Sequence, residues 1–131
     1  MTQVQYIKYG DTRNFCIVEG GMNDLIRPAL YSAWMDIVPV IERHDVDPLV
    51  VDVVGPVCES SDFLGCAREL AVKPNDWLAV LDAGAYGASM ASRYNSRALP
   101  MEILVDADHV IPLRDPENYE HLVQGERLLD L

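Results

Sequence analysis

Four stretches of this sequence concentrate polar side chains beyond what a connecting turn needs. In the first, residues 21–31, Arg27 offers a planar fork of donors that matches a carboxylate, and Tyr31, four residues on, adds a hydroxyl. Asp24, across a turn, is the local alternative partner for that arginine. In the second, residues 54–64, an apolar run ends in Gly55-Pro56 and then presents Cys58, Glu59, Ser60, Ser61 and Asp62. Polar density at a strand end is where binding and catalytic residues gather. A thiol beside carboxylates resists ionisation, which suits it to give a proton rather than to attack as a thiolate. An acidic loop with an incidental cysteine is the competing reading. In the third, residues 82–89, small residues surround Tyr86 as the only large side chain. They allow backbone to approach a ligand closely, or simply to pack around one tyrosine. No Gly-Lys-Ser/Thr or GxGxxG pattern accompanies them, so the phosphate signal is weak. The fourth, residues 92–97, reads as a solvated turn. His44, His109 and His121 are scattered, and no His/Cys/Asp/Glu spacing points to a metal.

The elements that must hold these groups read mainly as strands. Residues 4–9, 14–19, 37–43, 49–54, 77–82, 101–105 and 109–114 are rich in Val, Ile, Tyr and Phe and are separated by Gly, Pro, Asn and Asp. Residues 85–92 read as a weakly periodic helix. Asp115, Pro116 and Glu117 predict a second one, with Asp115 as cap, running to about residue 124. The expected fold class is mainly β: a Greek-key β-sandwich or barrel-like domain with one or two short helices.

Composition narrows the function classes. The chain has 131 residues and a formal net charge of −11. That length suits one domain. Such an acidic surface is a poor partner for nucleic acid or anionic membranes. No apolar run reaches the roughly 18 residues of a membrane span, and no signal peptide opens the chain, so a cytoplasmic location is the default expectation. The three cysteines fit neither a zinc site nor a disulfide framework, and Cys16, within an apolar run, reads as a buried small hydrophobe.

Taken in order, five segments resemble the C-terminal β-domain of diaminopimelate decarboxylases, fold-type III pyridoxal-phosphate enzymes. They are Gly-Met-Asn-Asp-Leu-Ile-Arg-Pro-Ala-Leu-Tyr at 21–31, Val-Gly-Pro-Val-Cys-Glu-Ser-Ser-Asp-Phe-Leu at 54–64, Asp-Ala-Gly-Ala-Tyr-Gly at 82–87, Tyr-Asn-Ser-Arg at 94–97 and Met-Glu-Ile-Leu-Val-Asp at 101–106. The resemblance spans nearly the whole chain. Departures from the family pattern at Glu19, Met35 and Ala98 touch no residue singled out above.

The resemblance implies an enzyme that removes one carboxylate from meso-diaminopimelate to give L-lysine. It implies a homodimer, with each site built across two subunits, and an N-terminal β/α barrel whose lysine binds pyridoxal 5'-phosphate. By the same resemblance Cys58 is the proton donor at the partner subunit's cofactor. Glu59 binds the distal ammonium of the substrate, Arg27 and Tyr31 bind its distal carboxylate, and Tyr86 contacts cofactor or substrate. A barrel of about 250 residues cannot fit in this chain, and neither Lys8 nor Lys73 stands in a plausible Schiff-base setting. The expectation is therefore a fragment or remnant that is inactive alone, with Arg27, Cys58 and Tyr86 exposed along one edge. Two alternatives stand beside it: a domain of a decarboxylase for another basic amino acid, and a non-catalytic β-domain used for dimerisation.

Overall fold

Short runs rich in Val, Ile and Leu build the sheet that carries the candidate site. In the computed structural model, which describes residues 1–129, strands β1 (Thr2–Lys8), β2 (Asn14–Val18), β3 (Ile37–Pro39), β4 (Leu49–Val54), β5 (Phe63–Leu70) and β6 (Trp77–Val80) form one sheet. Its order is β3-β6-β1-β2-β4-β5. Every neighbouring pair is antiparallel except β2 and β4, which run parallel. A parallel pair needs a crossover, and here the crossover holds helix α1 (Arg27–Tyr31) together with β3. The two edge strands, β3 and β5, pack against each other, so the sheet is nearly closed and barrel-like. Val4, Cys16, Val18, Val51, Val53 and Leu78 are almost fully buried inside it. Burial also pushes the Cys16 thiol up to about 12, so it behaves as the expected small hydrophobe.

The chain divides into two compact units, Met1–Ala91 and Ser92–Leu131. The first contains the six-stranded sheet, α1 and helix α2 (Gly84–Met90). The second contains the antiparallel hairpin of β7 (Glu102–Asp106) and β8 (His109–Arg114), a single 3-10 turn at Tyr94–Ser96, and helix α3 (Tyr119–Leu122). Among the described residues, no helix is long and apolar enough to cross a membrane.

The mainly-β expectation holds, and the individual departures have local causes. Strand β3 stops at Pro39 rather than continuing to residue 43, because its partner β6 begins at Trp77: the Val40 amide donates to the Trp77 carbonyl at 2.8 Å, and beyond that the ladder has no partner. Strand β5 is absent from the sequence reading because its inward and outward residues do not alternate. Val51 pairs with Arg68 and Val53 with Gly65, so three steps on β5 oppose two on β4. The extra residue makes a bulge at Ala67, whose φ is 51°, and the Ala67 amide donates to Asp52 Oδ1 at 2.8 Å. Helix α3 begins at Tyr119 and is capped by Asn118, not Asp115. The Asn118 side chain accepts from the His121 amide, and His121 Nδ1 accepts from the Asn118 amide. Glu117 is drawn out of the helix: its carboxylate takes both the Arg93 guanidinium and the Leu99 amide.

Candidate functional site

Helix α1 exists because of its ends. Pro28, nearly fully buried, occupies the first turn, where a missing N–H costs nothing, and Ser32 leaves the helix in the left-handed region at φ 52° with its amide on the Arg27 carbonyl. Arg27 and Tyr31 therefore sit one turn apart on the same short helix. Arg27 is half-buried, and its guanidinium carbon lies 4.8 Å from the centre of the Tyr86 ring. Tyr86 stands exposed on α2. The contact is a cation–π pair of an arginine with a tyrosine ring. Asp24, the alternative partner, turns its carboxylate to the Gly21 amide at 2.9 Å and to the Asn23 side-chain amide at 3.0 Å. Among the described residues Arg27 has no salt bridge.

Cys58 and Glu59, both exposed, lie on the turn between β4 and β5. The residue that shapes this turn is Asp62, only 4% exposed. Its two carboxylate oxygens accept from the Met22 amide and the Val57 amide, each at 2.6 Å. Its own amide donates to the Glu59 carbonyl, and its carbonyl accepts from the Gly55 amide. Asp62 thus staples the Cys58 turn to the segment that leads into α1. A side chain at Gly55 would place its Cβ 2.5 Å from both carboxylate oxygens, so only glycine admits the staple. From sequence alone, Asp62 reads as one more acid beside the thiol. The structure turns it inward, where its charge is taken up by two backbone amides. Polar residues in a loop are read by type, and the direction in which each points is set by the backbone around it.

The three clusters of the first unit are therefore brought together in two ways: Arg27 touches Tyr86 directly, and Cys58 with Glu59 is tied to the Arg27 segment through Asp62. The fourth cluster lies in the second unit. There Arg93 makes a two-pronged ion pair with Glu117, at 3.0 and 2.5 Å. That pair, with the Leu99 amide, holds the Glu117 carboxyl down to about 2.

Neither of the two lysines lies beside Arg27, Cys58 or Tyr86 in sequence. Lys73 is paired to Asp45 at 2.8 Å, and Lys8 is exposed at the end of β1.

Comparison with known proteins gives a consistent picture. The family profile described as "Pyridoxal-dependent decarboxylase, C-terminal sheet domain" matches residues 1–84. A diaminopimelate decarboxylase of Haemophilus influenzae is 51% identical over 93% of this chain and 29% of its own length. One from Pseudomonas fluorescens is 50% identical over 98% of this chain and 31% of its own. The crystal structure of a diaminopimelate decarboxylase from m. jannaschii, in co-complex with L-lysine, superposes with a TM-score of 0.92 at 36% identity, covering 98% of this chain and 29% of that one. The chain thus spans about 30% of the length of the relatives it matches.

Proposed function

Because this chain belongs to the family of C-terminal sheet domains of pyridoxal-dependent decarboxylases, we propose that it supplies the substrate-recognising and proton-donating part of a diaminopimelate decarboxylase. In this reading the complete enzyme converts meso-2,6-diaminopimelate to L-lysine and CO2 in the cytoplasm. An N-terminal barrel, outside this chain, carries the lysine and the pyridoxal 5'-phosphate. The cofactor, when bound there, supplies the electron sink that makes loss of CO2 possible.

The observation that carries the reading is Arg27, half-buried, in cation–π contact with Tyr86 and without an ion pair among the described residues. Its guanidinium donors fit a carboxylate two-pronged, and Tyr31 one turn away fits a third hydrogen bond. Diaminopimelate keeps a second carboxylate far from the reacting carbon, whereas ornithine and arginine do not, so this arginine selects for the longer diacid. Glu59 fits the distal ammonium. Cys58, exposed on a turn held by Asp62, gives its S–H proton to the carbon that CO2 leaves, at a site completed by a partner subunit. Tyr86 orients Arg27 and meets cofactor or substrate. Exposed Leu30 and Ile41 supply apolar surface suited to burial against the barrel or the second subunit of a homodimer.

The test is complementation. This chain, joined to the barrel of the Haemophilus influenzae relative in place of that protein's matching segment, should release CO2 from meso-diaminopimelate and not from ornithine or arginine. The chain alone with pyridoxal 5'-phosphate should release none. A joined enzyme that prefers ornithine, or a chain active by itself, overturns the reading.

A further inference from the structure

We propose that Arg68 is a positioning residue for substrate recognition: through Trp34 it fixes the exit of helix α1 and so sets where Arg27 and Tyr31 stand. This inference rests on the functional reading above and adds a residue that none of the four polar stretches contains.

Arg68 is a charged residue in the wrong place for a solvated one. It is 7% exposed, in the middle of β5, on the edge strand that packs against β3. The bulge at Ala67 puts it there. Without the extra residue, strand alternation would give Gly65 and Arg68 opposite faces, whereas both are buried while Cys66 and Ala67 between them are exposed. Gly65 then opens the path for the side chain. A Cβ at that position would lie 2.6 Å from Arg68 Nε and 2.9 Å from Ile37 Cδ1. The buried Nε of Arg68 has no hydrogen-bond partner. A buried donor without a partner is costly, so something else must hold the guanidinium, and that is the indole of Trp34. The guanidinium carbon lies over the Trp34 ring, 3.2 Å from its centre, a cation–π contact.

Trp34 is itself 69% exposed and so is not held by the core. It is oriented by two contacts: the Arg68 cation–π contact on one face, and its Nε1–H donating to Asp36 Oδ1 at 2.8 Å. The indole stands two residues after Ser32, where α1 ends in a left-handed turn, and one residue before Met35, which enters the core. Ala33, in between, donates its amide to the Arg27 carbonyl at 3.4 Å. The stretch from Arg27 to Met35 is therefore a short arch pinned by Met35 at one foot, with Trp34 on Arg68 fixing its angle. A five-residue helix has little stability of its own, so the direction of its side chains depends on that pin.

The test uses the barrel-joined enzyme in a Trp77→Phe background, which leaves Trp34 as the only tryptophan of this chain. Arg68→Lys removes the planar guanidinium but keeps the charge, and Trp34→Ala removes the ring from an exposed position where folding is not at risk. Each should raise KM for meso-diaminopimelate about 3- to 30-fold, the span of a lost cation–π contact, with kcat within about 2-fold. The double variant should be no worse than either single one, and Trp34→Phe should recover most of the loss. Hydrogen exchange at the amides of Leu30, Ser32 and Ala33 should quicken in both single variants while the strands stay protected, and Trp34 emission should shift in Arg68→Lys. Unchanged KM together with unchanged exchange in Trp34→Ala overturns the proposal, as does additivity of the two substitutions. If the unaltered enzyme does not act on meso-diaminopimelate, the functional reading fails, while exchange and emission still decide whether Arg68 governs α1.

Discussion

Replacing Asp62 should separate the two halves of the candidate site before it unfolds anything else. The carboxylate is buried and accepts two backbone amides at 2.6 Å each, from Met22 and Val57, in a space that Gly55 keeps open. A hydrogen bond to a charged group contributes about 1.5–3 kcal/mol net. The two amides belong to residues that are only partly buried, so the lower end of that range applies to each. Asp62→Ala strands both donors and should cost about 3–4 kcal/mol. Asp62→Asn keeps one oxygen but sets an N–H donor against the other amide, and should cost about 2 kcal/mol. At this chain length that is a fall in Tm of roughly 6–8 °C for the asparagine variant. Urea and thermal unfolding of the protein measure the loss. In the barrel-joined enzyme the same variant should lower kcat and raise KM together, because both the Cys58 turn and the Arg27 segment lose their tie. An asparagine variant within about 0.5 kcal/mol of the parent, the range of an ordinary surface change, would refute the assignment of Asp62 as the staple.

Further predictions concern single groups. Cys58→Ala in the joined enzyme should slow turnover by about 10²–10⁴-fold, as loss of a general acid does, and leave KM for meso-diaminopimelate nearly unchanged; a raised KM with intact kcat would show that the thiol binds rather than protonates. Arg27→Ala should act in the opposite sense, raising KM more than it lowers kcat, and the Tyr86→Leu variant should share part of that effect by removing the ring beneath the guanidinium. The Glu117 carboxyl, held down to about 2 by Arg93 first and the Leu99 amide second, stabilises the second unit fully above the ordinary glutamate value, and that contribution fades as pH falls through about 2. Its carboxyl carbon chemical shift should titrate with that low midpoint, and Arg93→Gln should move the midpoint upward; an ordinary glutamate midpoint in the unaltered protein would contradict the ion pair.

The types and order of residues were enough to indicate a mainly-β fold and, through five ordered motifs, the decarboxylase family of this sheet domain. Strands β4 and β8 read at their observed limits, because each is a short run rich in Val, Ile and Leu bounded by turn residues, Pro48 and Gly55-Pro56 for β4, Asp106 to Asp108 and Asp115-Pro116 for β8. Arg27, Tyr31, Cys58, Glu59 and Tyr86 could be picked out by their chemistry and by the ordered motifs that resemble the decarboxylases. Tertiary structure alone decided what each group meets. Strand β5 was hidden because the bulge at Ala67 destroys the two-residue period on which strand reading depends. Nothing in the spacing of Asp62 from Met22, forty residues earlier, tells that its carboxylate turns inward to that amide. Likewise Arg68 has the composition of a surface residue, and only the closure of β5 against β3, with the gap left at Gly65, buries it beneath Trp34. Periodicity and residue type are local properties of the chain, whereas the direction of a side chain in a loop or beside a bulge depends on contacts between segments far apart in sequence, and those exist only once the sheet has closed.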